Sequence, residues 1–234
     1  MHTSQEDFFK MIIHDLKGPL GEIMANLDLL SYEKSLSGPN KEYLETAVIG
    51  CENLFQIVLN IIDTSKMEEG RMILNKSAFR IEDIIEESVR RVKTIGKQNE
   101  NHFVIDLKGD IKELIADQNI IERVLSNLLL NAISYSFPKT EIKVIAEPGD
   151  KYLLKISIVD QGRGIPEEFQ DKIFDKYHQA TKNGVPHKNS SGLGLTFCKM
   201  AIEAHNGRIW VESREGKGSS FHFTIPMPNN KPVK

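Results

Sequence analysis

The chain has 234 residues, 40% of them hydrophobic and 27% charged, with a formal net charge of -3 at neutral pH. That length suits one large domain or a pair of smaller ones, and the composition is that of an ordinary soluble protein. The slight acidic balance gives no reason to expect non-specific nucleic-acid binding, which shows a basic excess. No apolar run approaches the roughly 20 residues that a membrane helix needs, and the N-terminus does not have the pattern of a signal peptide. Cys51 and Cys198 are far apart with no metal-ligand spacing. Both sit in helical, partly apolar stretches, so buried reduced thiols are expected in preference to a disulfide.

The first predicted element is one long helix from Thr3 to about Tyr32, with Thr3 or Ser4 as N-cap and acids in its first turn. Phe9, Ile13, Leu16, Leu20, Ile23, Leu27 and Leu30 alternate spacings of four and three. That is the seam of a helix packed in a bundle. His14 and Asp15 stand beside the seam, just before a kink at Gly18-Pro19 where the proline removes a helical hydrogen bond. Ser35 to Asn40 is a connecting loop, and a second helix runs from about Pro39 to Glu68 with a matching seam of Leu44, Ala47, Cys51, Leu54, Val58 and Ile61. Two long helices joined by a short loop form an antiparallel hairpin. Pairing with a second copy would bury both seams in a four-helix bundle, which predicts a homodimer through residues 1–68. The chain opens almost at its histidine helix, so an upstream portion is expected in the full-length protein.

The helical pattern breaks at Glu68-Glu69-Gly70-Arg71. The predicted boundaries are 1–69 for the helical domain, 70–228 for a second domain and 229–234 for a disordered tail. In the second domain, Ser77–Arg80 is a short strand, Ile81–Lys97 an amphipathic helix, His102–Leu107 a strand and Leu114–Ala116 a short extended piece. Asp117–Ser136 is a helix with Asp117 as N-cap, and Glu141–Glu147 pairs with Lys151–Asp160 around Pro148-Gly149-Asp150. A loop-rich region leads to a helix from about Gly192 to His205. Strands Arg208–Ser213 and Ser219–Pro226 close the chain around a glycine-rich turn. This alternation predicts an α+β two-layer sandwich, a mixed sheet with helices on one face.

Three clusters in this domain could carry chemistry. Arg123, Asn127, Asn131 and Tyr135 recur every four residues, so they share one helix face. Asparagine is a weak helix former, and two of them a turn apart either solvate a surface or offer neutral carbonyl oxygens to a hard cation that also holds phosphate. Asp160-Gln161-Gly162-Arg163-Gly164-Ile165 follows a strand of alternating apolar residues. Its carboxylate could accept from an exocyclic amine while the glycines let backbone approach a flat ring, although an ordinary glycine turn has the same composition. Ser190-Ser191-Gly192-Leu193-Gly194-Leu195 opens a helix whose N-terminal amides suit phosphate. The polar segment 178–191, with Lys182 and Lys188, has the look of a lid.

Taken together and in this order, the motifs resemble those of a sensor histidine kinase of two-component systems. His14-Asp15-Leu16-Lys17-Gly18-Pro19-Leu20 resembles the phosphoacceptor box, and Asn127 to Ser136 the asparagine box. Asp160–Ile165 resembles the first glycine box, Ile173-Phe174-Asp175-Lys176-Tyr177 the phenylalanine box, and Gly192–Leu195 the second glycine box. Gly216-Lys217-Gly218-Ser219-Ser220-Phe221 resembles the last glycine box, so the likeness extends over residues 4–226.

The resemblance implies ATP as donor, His14 as phosphoacceptor and transfer onward to an aspartate of a response regulator receiver domain. A neutral imidazole, with an unperturbed pKa of about 6.5, is a competent nucleophile near neutral pH. Asp15 would fix its tautomer and stabilise the charge growing on the ring. The implied magnesium ligands are Asn131 and Asn127. Asp160 would read the adenine amine, with Tyr135 and Ile165 against the base. Gly162, Gly164, Tyr177, Lys182, Lys188, Gly192, Leu193, Gly194 and Leu195 complete the implied nucleotide site. A cytoplasmic location follows from the resemblance, with membrane anchoring possible through the upstream portion.

Departures from the family pattern alter some expectations. Ser134 stands where a lysine is usual, which shifts phosphate neutralisation to Lys139, Lys182 or Lys188. Gly18 stands where threonine or asparagine would position water for dephosphorylating the partner, so phosphatase activity is expected to be weak. A catalytically weak dimeric binding module of the same fold is the alternative; the missing basic residues are its support.

Overall fold

The computed structural model describes residues 20–21, 23–27, 29–30, 38–69, 72–95, 100–111, 113–149, 152–176 and 193–228. The chain divides into two compact units, Met1–Met72 and Ile73–Lys234. His14, Asp15 and Gly18 lie outside the described residues. So do Tyr177, Lys182, Lys188, Gly192 and the tail 229–234.

In the first unit, residues 20–21, 23–27 and 29–30 are helical, and α1 spans Pro39–Glu68. Pro39 opens α1, where its missing amide hydrogen costs nothing, and Gly38 supplies the positive φ of the preceding turn. The helix ends where Glu69 N–H bonds the Ser65 carbonyl at 3.2 Å. Along the expected seam, Leu20 and Val58 are buried, whereas Ile23, Leu30 and Leu54 are about half exposed within the single chain. The seam is therefore apolar along its length but covered along only part of it.

The second unit carries β1 (Ser77–Phe79), α2 (Ile81–Ile95), β2 (His102–Leu107), β3 (Leu114–Ala116) and α3 (Gln118–Tyr135). They are followed by β4 (Glu141–Pro148), β5 (Leu153–Val159), α4 (Glu167–Gln170), α5 (Gly194–Ala204), β6 (Ile209–Ser213) and β7 (Ser219–Pro226). The main sheet has the order β2-β4-β5-β7-β6, and β1 pairs with β3 in a small antiparallel ribbon. Only β2 and β4 run parallel; the other neighbours are antiparallel, so the sheet is mixed as expected. The sequence reading missed α4, whose four residues are too few for a helical period to show.

Register explains how the layers close. Val144 opposes Ile158, and Ile158 opposes Phe221, while Ala146, Ile156 and Phe223 form the next row. All of these face the helical layer and are buried. From the helices, α3 contributes Val124, Leu125, Leu128, Leu129 and Ala132, and α5 contributes Phe197, Ala201 and Ile202. Burying each valine, leucine, isoleucine or phenylalanine of this set contributes roughly 1.5–3 kcal/mol. The opposite sheet face carries ion pairs, Lys143 with Asp106 at 2.9 Å among them, and Trp210 stacked on His222.

The start of α3 is held by a polar knot. Asp117 accepts from Ile120 N–H through Oδ1 at 3.2 Å and from Asn75 N–H through Oδ2 at 2.8 Å. Its own amide donates to His205 Nε2 at 3.0 Å, and His205 Nδ1 lies 2.7 Å from the Ala201 carbonyl. These partners require one neutral tautomer, with the proton on Nδ1. Burial, reinforced by Lys76, pulls the His205 pKa below its ordinary 6.5, against the Ala201 carbonyl and Asp117. A histidine with a depressed folded pKa binds fewer protons than its unfolded counterpart, so stability is lost as pH falls below about 6.5. Urea unfolding at pH 7.5 and pH 5.5 is expected to show a lower midpoint at pH 5.5. The loss should be smaller in His205→Gln, which keeps an acceptor but cannot titrate; an equal loss would exclude His205 as the source.

Candidate functional site

The site assembles where β5 ends. Asp160, next after β5, is only 4% exposed. Its Oδ1 accepts two backbone bonds, from Gly162 N–H at 2.9 Å and Ser219 N–H at 3.2 Å. Oδ2 takes part in neither bond. Burial pushes the carboxyl above the usual aspartate range, while the two backbone N–H groups pull it back. A buried carboxylate with one bonded oxygen and a second oxygen that takes no bond from the described residues can accept from a ligand N–H.

Three other segments brace this carboxylate. Asp160 N–H donates to the Ser219 carbonyl at 2.8 Å, which ties the turn to β7. The C-terminal end of α3 comes in from a second side: Arg163 N–H bonds the Tyr135 carbonyl at 3.2 Å, and Ser136 bridges Gly162. A Cβ on Gly162 would overlap that Tyr135 carbonyl, and one on Gly164 would overlap the Arg214 carbonyl. From the third side, Gly218 (φ +92°) packs so closely that a Cβ would overlap the Asp160 carbonyl. Gly162, Gly164 and Gly218 are therefore required by close backbone approach, whatever their conformational freedom.

Along α3, Asn127 and Asn131 are half-buried on one face, as their spacing predicts. Asn127 Nδ2 is buried and meets no well-formed hydrogen-bond acceptor among the described residues, its side chain interacting with the neighbouring Cys198 thiol. Its Oδ1 would sit 3.5 Å from a Cβ on Gly194, which is ordinary contact and puts the start of α5 beside this amide. One turn earlier, the Arg123 guanidinium stacks on the Phe197 ring at 4.2 Å. Cys198 is fully buried next to this group, and burial pushes its thiol up to about 12, so it stays protonated. Cys51 is also a free thiol but only partly buried.

Of the other expected site residues, Leu193 is buried immediately before α5, and Leu195 is half-buried. Tyr135 and Ile165 are half-buried around the Asp160 turn. Ser134 bonds the Leu130 carbonyl of its own helix at 2.8 Å. Lys139 pairs with Glu100 at 3.3 Å. Ile173 and Phe174 of the phenylalanine motif are buried, and Phe174 meets Phe221 edge-on at 6.4 Å between centroids. Among the described residues no group of three or more His, Cys, Asp or Glu side chains could hold a metal. Sequence reasoning did not single out the Ser219 amide as a partner of Asp160, because a backbone donor leaves no mark on residue type.

This geometry sets a buried, half-bonded carboxylate at the end of a central strand of an α+β domain. Residues 116–229 match the family model "Histidine kinase-, DNA gyrase B-, and HSP90-like ATPase", and residues 4–70 match "His Kinase A (phospho-acceptor) domain". The chain belongs to the sensor histidine kinases. It is 28% identical over 229 residues to the adaptive-response sensory kinase SasA of Crocosphaera subtropica, covering 95% of this chain and 59% of that protein. It is 26% identical over 226 residues to the sensor-like histidine kinase SenX3 of Mycobacterium bovis, covering 97% and 55%. The chain thus spans little more than half the length of these relatives. Among solved structures, the catalytic domain of histidine kinase ThkA aligns at 30% identity with a TM-score of 0.56, covering 65% of this chain and 96% of that one. Full-length ShkA, solved with AMPPNP, shares the fold at a TM-score of 0.73 and 18% identity, covering 95% of this chain and 46% of that one.

The close approaches separate two glycines of one turn. Gly218→Ala collides with backbone at a strongly positive φ and should cost about 3 kcal/mol or more. Gly216→Ala, with φ +77° and nothing within 4 Å of its Cβ, should cost only ~1 kcal/mol of backbone strain. Denaturant unfolding of the two variants measures the difference; equal losses would contradict the packing described.

Proposed function

We propose that this chain binds ATP in its second unit, phosphorylates His14, and passes the phosphoryl group to an aspartate of a response regulator. The observation that carries this proposal is the half-bonded Asp160 carboxylate in an ATPase-type domain, on a chain whose phosphoacceptor match includes His14. In this assignment Asp160 Oδ2 accepts the adenine amine, with Tyr135 and Ile165 beside the base. Gly162 and Gly164 let backbone reach the ring plane. Tyr177, Gly192, Leu193, Gly194 and Leu195 complete the proposed nucleotide site, with the N-terminus of α5 assigned to the phosphates. Ser134 carries no charge and Lys139 pairs with Glu100, which favours Lys182 and Lys188 as the cations that neutralise the phosphates.

Asn127 Oδ1, beside the start of α5, and the Asn131 amide one turn on offer oxygens that suit a cation held jointly with phosphate oxygens, and the buried Asn127 Nδ2 can donate to a phosphate oxygen. Asn131 and Asn127 would hold magnesium, which would neutralise charge on the triphosphate. His14 attacks as neutral imidazole: a nitrogen–phosphorus bond forms, the bond to the β-phosphate oxygen breaks, and ADP leaves. Asp15 accepts from the other ring nitrogen and stabilises the cationic ring. The carboxylate of the receiver domain then displaces the imidazole.

The half-covered seam residues Ile23, Leu30 and Leu54 support a homodimer through residues 1–68. No described helix is long and apolar enough to cross a membrane; the cytoplasm, where ATP and receiver domains reside, is the proposed location.

Incubation with γ-labelled ATP is expected to give alkali-stable, acid-labile label on the wild-type chain and none on His14→Ala. Label that persists on His14→Ala would overturn the assignment. Asn131→Ala is expected to remove most of the magnesium dependence of ATP binding, measured by titration with magnesium and with a chelator. An unchanged dependence would exclude Asn131 as a ligand.

A further inference from the structure

The turn that carries Asp160 is locked from a direction the family motifs do not mark. Gln170, the last residue of α4, donates from Nε2 to the Ile165 carbonyl at 2.9 Å and to the Ser213 carbonyl at 2.9 Å. Ser213, the last residue of β6, accepts from Ile165 N–H at 2.8 Å through its hydroxyl. The same hydroxyl lies 2.9 Å from the Gly218 carbonyl and 3.0 Å from the Ser219 hydroxyl. Both backbone groups of Ile165 are therefore held, one by each residue. Each of the two residues also reaches the strand pair that delivers the Ser219 amide to Asp160.

We propose that Gln170 and Ser213 are positioning residues that set the enzyme's discrimination for the 6-amino group of the purine. They touch no nucleotide themselves. Gln170 cross-links the loop at Ile165 to the end of β6, and Ser213 cross-links Ile165 to the Gly218-Ser219 turn. Together they hold the distance between the glycine turn and the β6–β7 turn, on which the two bonds to Asp160 Oδ1 depend. With Oδ1 saturated, Oδ2 is fixed in direction, and a fixed acceptor discriminates more sharply than a rotating one. Both residues are half-buried, where net hydrogen bonds of this kind are worth a measurable fraction of affinity. No sequence signal points to Gln170, because an amide bonding two carbonyls has no spacing rule.

The inference rests on the assignment of Asp160 as the base-reading carboxylate, and the two can be tested separately. Binding of ATP and of purine riboside triphosphate, which lacks the 6-amino group, is measured for wild type, Gln170→Met and Ser213→Ala. Gln170→Met keeps the length of the side chain and removes both donors. The wild type should favour ATP, and in each variant that ratio should fall by roughly five- to tenfold, while purine riboside triphosphate affinity changes little. A loss of affinity for both nucleotides with an unchanged ratio would mean a purely structural role and overturn the inference. An unchanged ratio with unchanged affinities would overturn it as well. Equal wild-type affinity for both nucleotides would instead overturn the reading of Asp160 itself.

Discussion

Two backbone N–H groups, from Gly162 and Ser219, converge on one oxygen of a buried aspartate, and the remaining features of the second unit serve that arrangement. Burying a carboxylate is costly unless its oxygens are bonded. Asp160 meets the cost halfway, with one oxygen bonded and its pKa raised by burial. To bring both donors to Oδ1, β7 must lie beside β5, the β6–β7 turn must press against the Asp160 backbone, and α3 must end at the glycine turn. Each approach is close enough to exclude a Cβ, which is why Gly162 and Gly218 stand where they do.

The helix α3 links this acceptor to the second half of the site. Its apolar face supplies the core residues Leu125, Leu128 and Leu129, and its N-terminus is pinned by Asp117, Asn75 and His205. With both ends tied, the face bearing Arg123, Asn127 and Asn131 has little freedom to rotate. Arg123 stacks on Phe197 of α5, and Asn127 lies beside Gly194, so α3 and α5 present the amide and a helix start together. Helix N-termini attract phosphate. Among the described residues no group of three or more His, Cys, Asp or Glu side chains could hold a metal, so a cation at these amides would need its charge balanced by the nucleotide.

Much of this was legible in the sequence because it depends on residue type and period. The helix Pro39–Glu68, the alternation of β4, β5 and β7, the N-cap at Asp117 and the four-residue spacing of Asn127 and Asn131 all follow from side-chain identity. The boundaries of α3 agree with expectation to within a residue at each end, because Asp117 and the extended Ser136 leave clear stop signals. What the sequence did not reveal works through backbone. The Ser219 amide, the carbonyls of Tyr135 and Gly218, and the crossing bonds of Gln170 and Ser213 carry no periodic or compositional mark. Lys139 illustrates the converse: its charge suggested a phosphate contact, but a left-handed backbone conformation and the nearby Glu100 give it another partner.

The bonding of Asp160 makes an unusually specific demand on its replacement. In Asp160→Asn, the donors at Gly162 and Ser219 require the amide oxygen at the Oδ1 position. The NH2 group must then take the Oδ2 position and face the base as a donor. The most direct test is therefore a calorimetric comparison of ATP and inosine triphosphate, which bears a 6-carbonyl, against the wild type and Asp160→Asn. The wild type should bind ATP more tightly, and the variant should lose most of its ATP affinity and reverse the preference toward inosine triphosphate. A folded Asp160→Asn protein that still prefers ATP by the wild-type margin would contradict Asp160 as the group that reads the base.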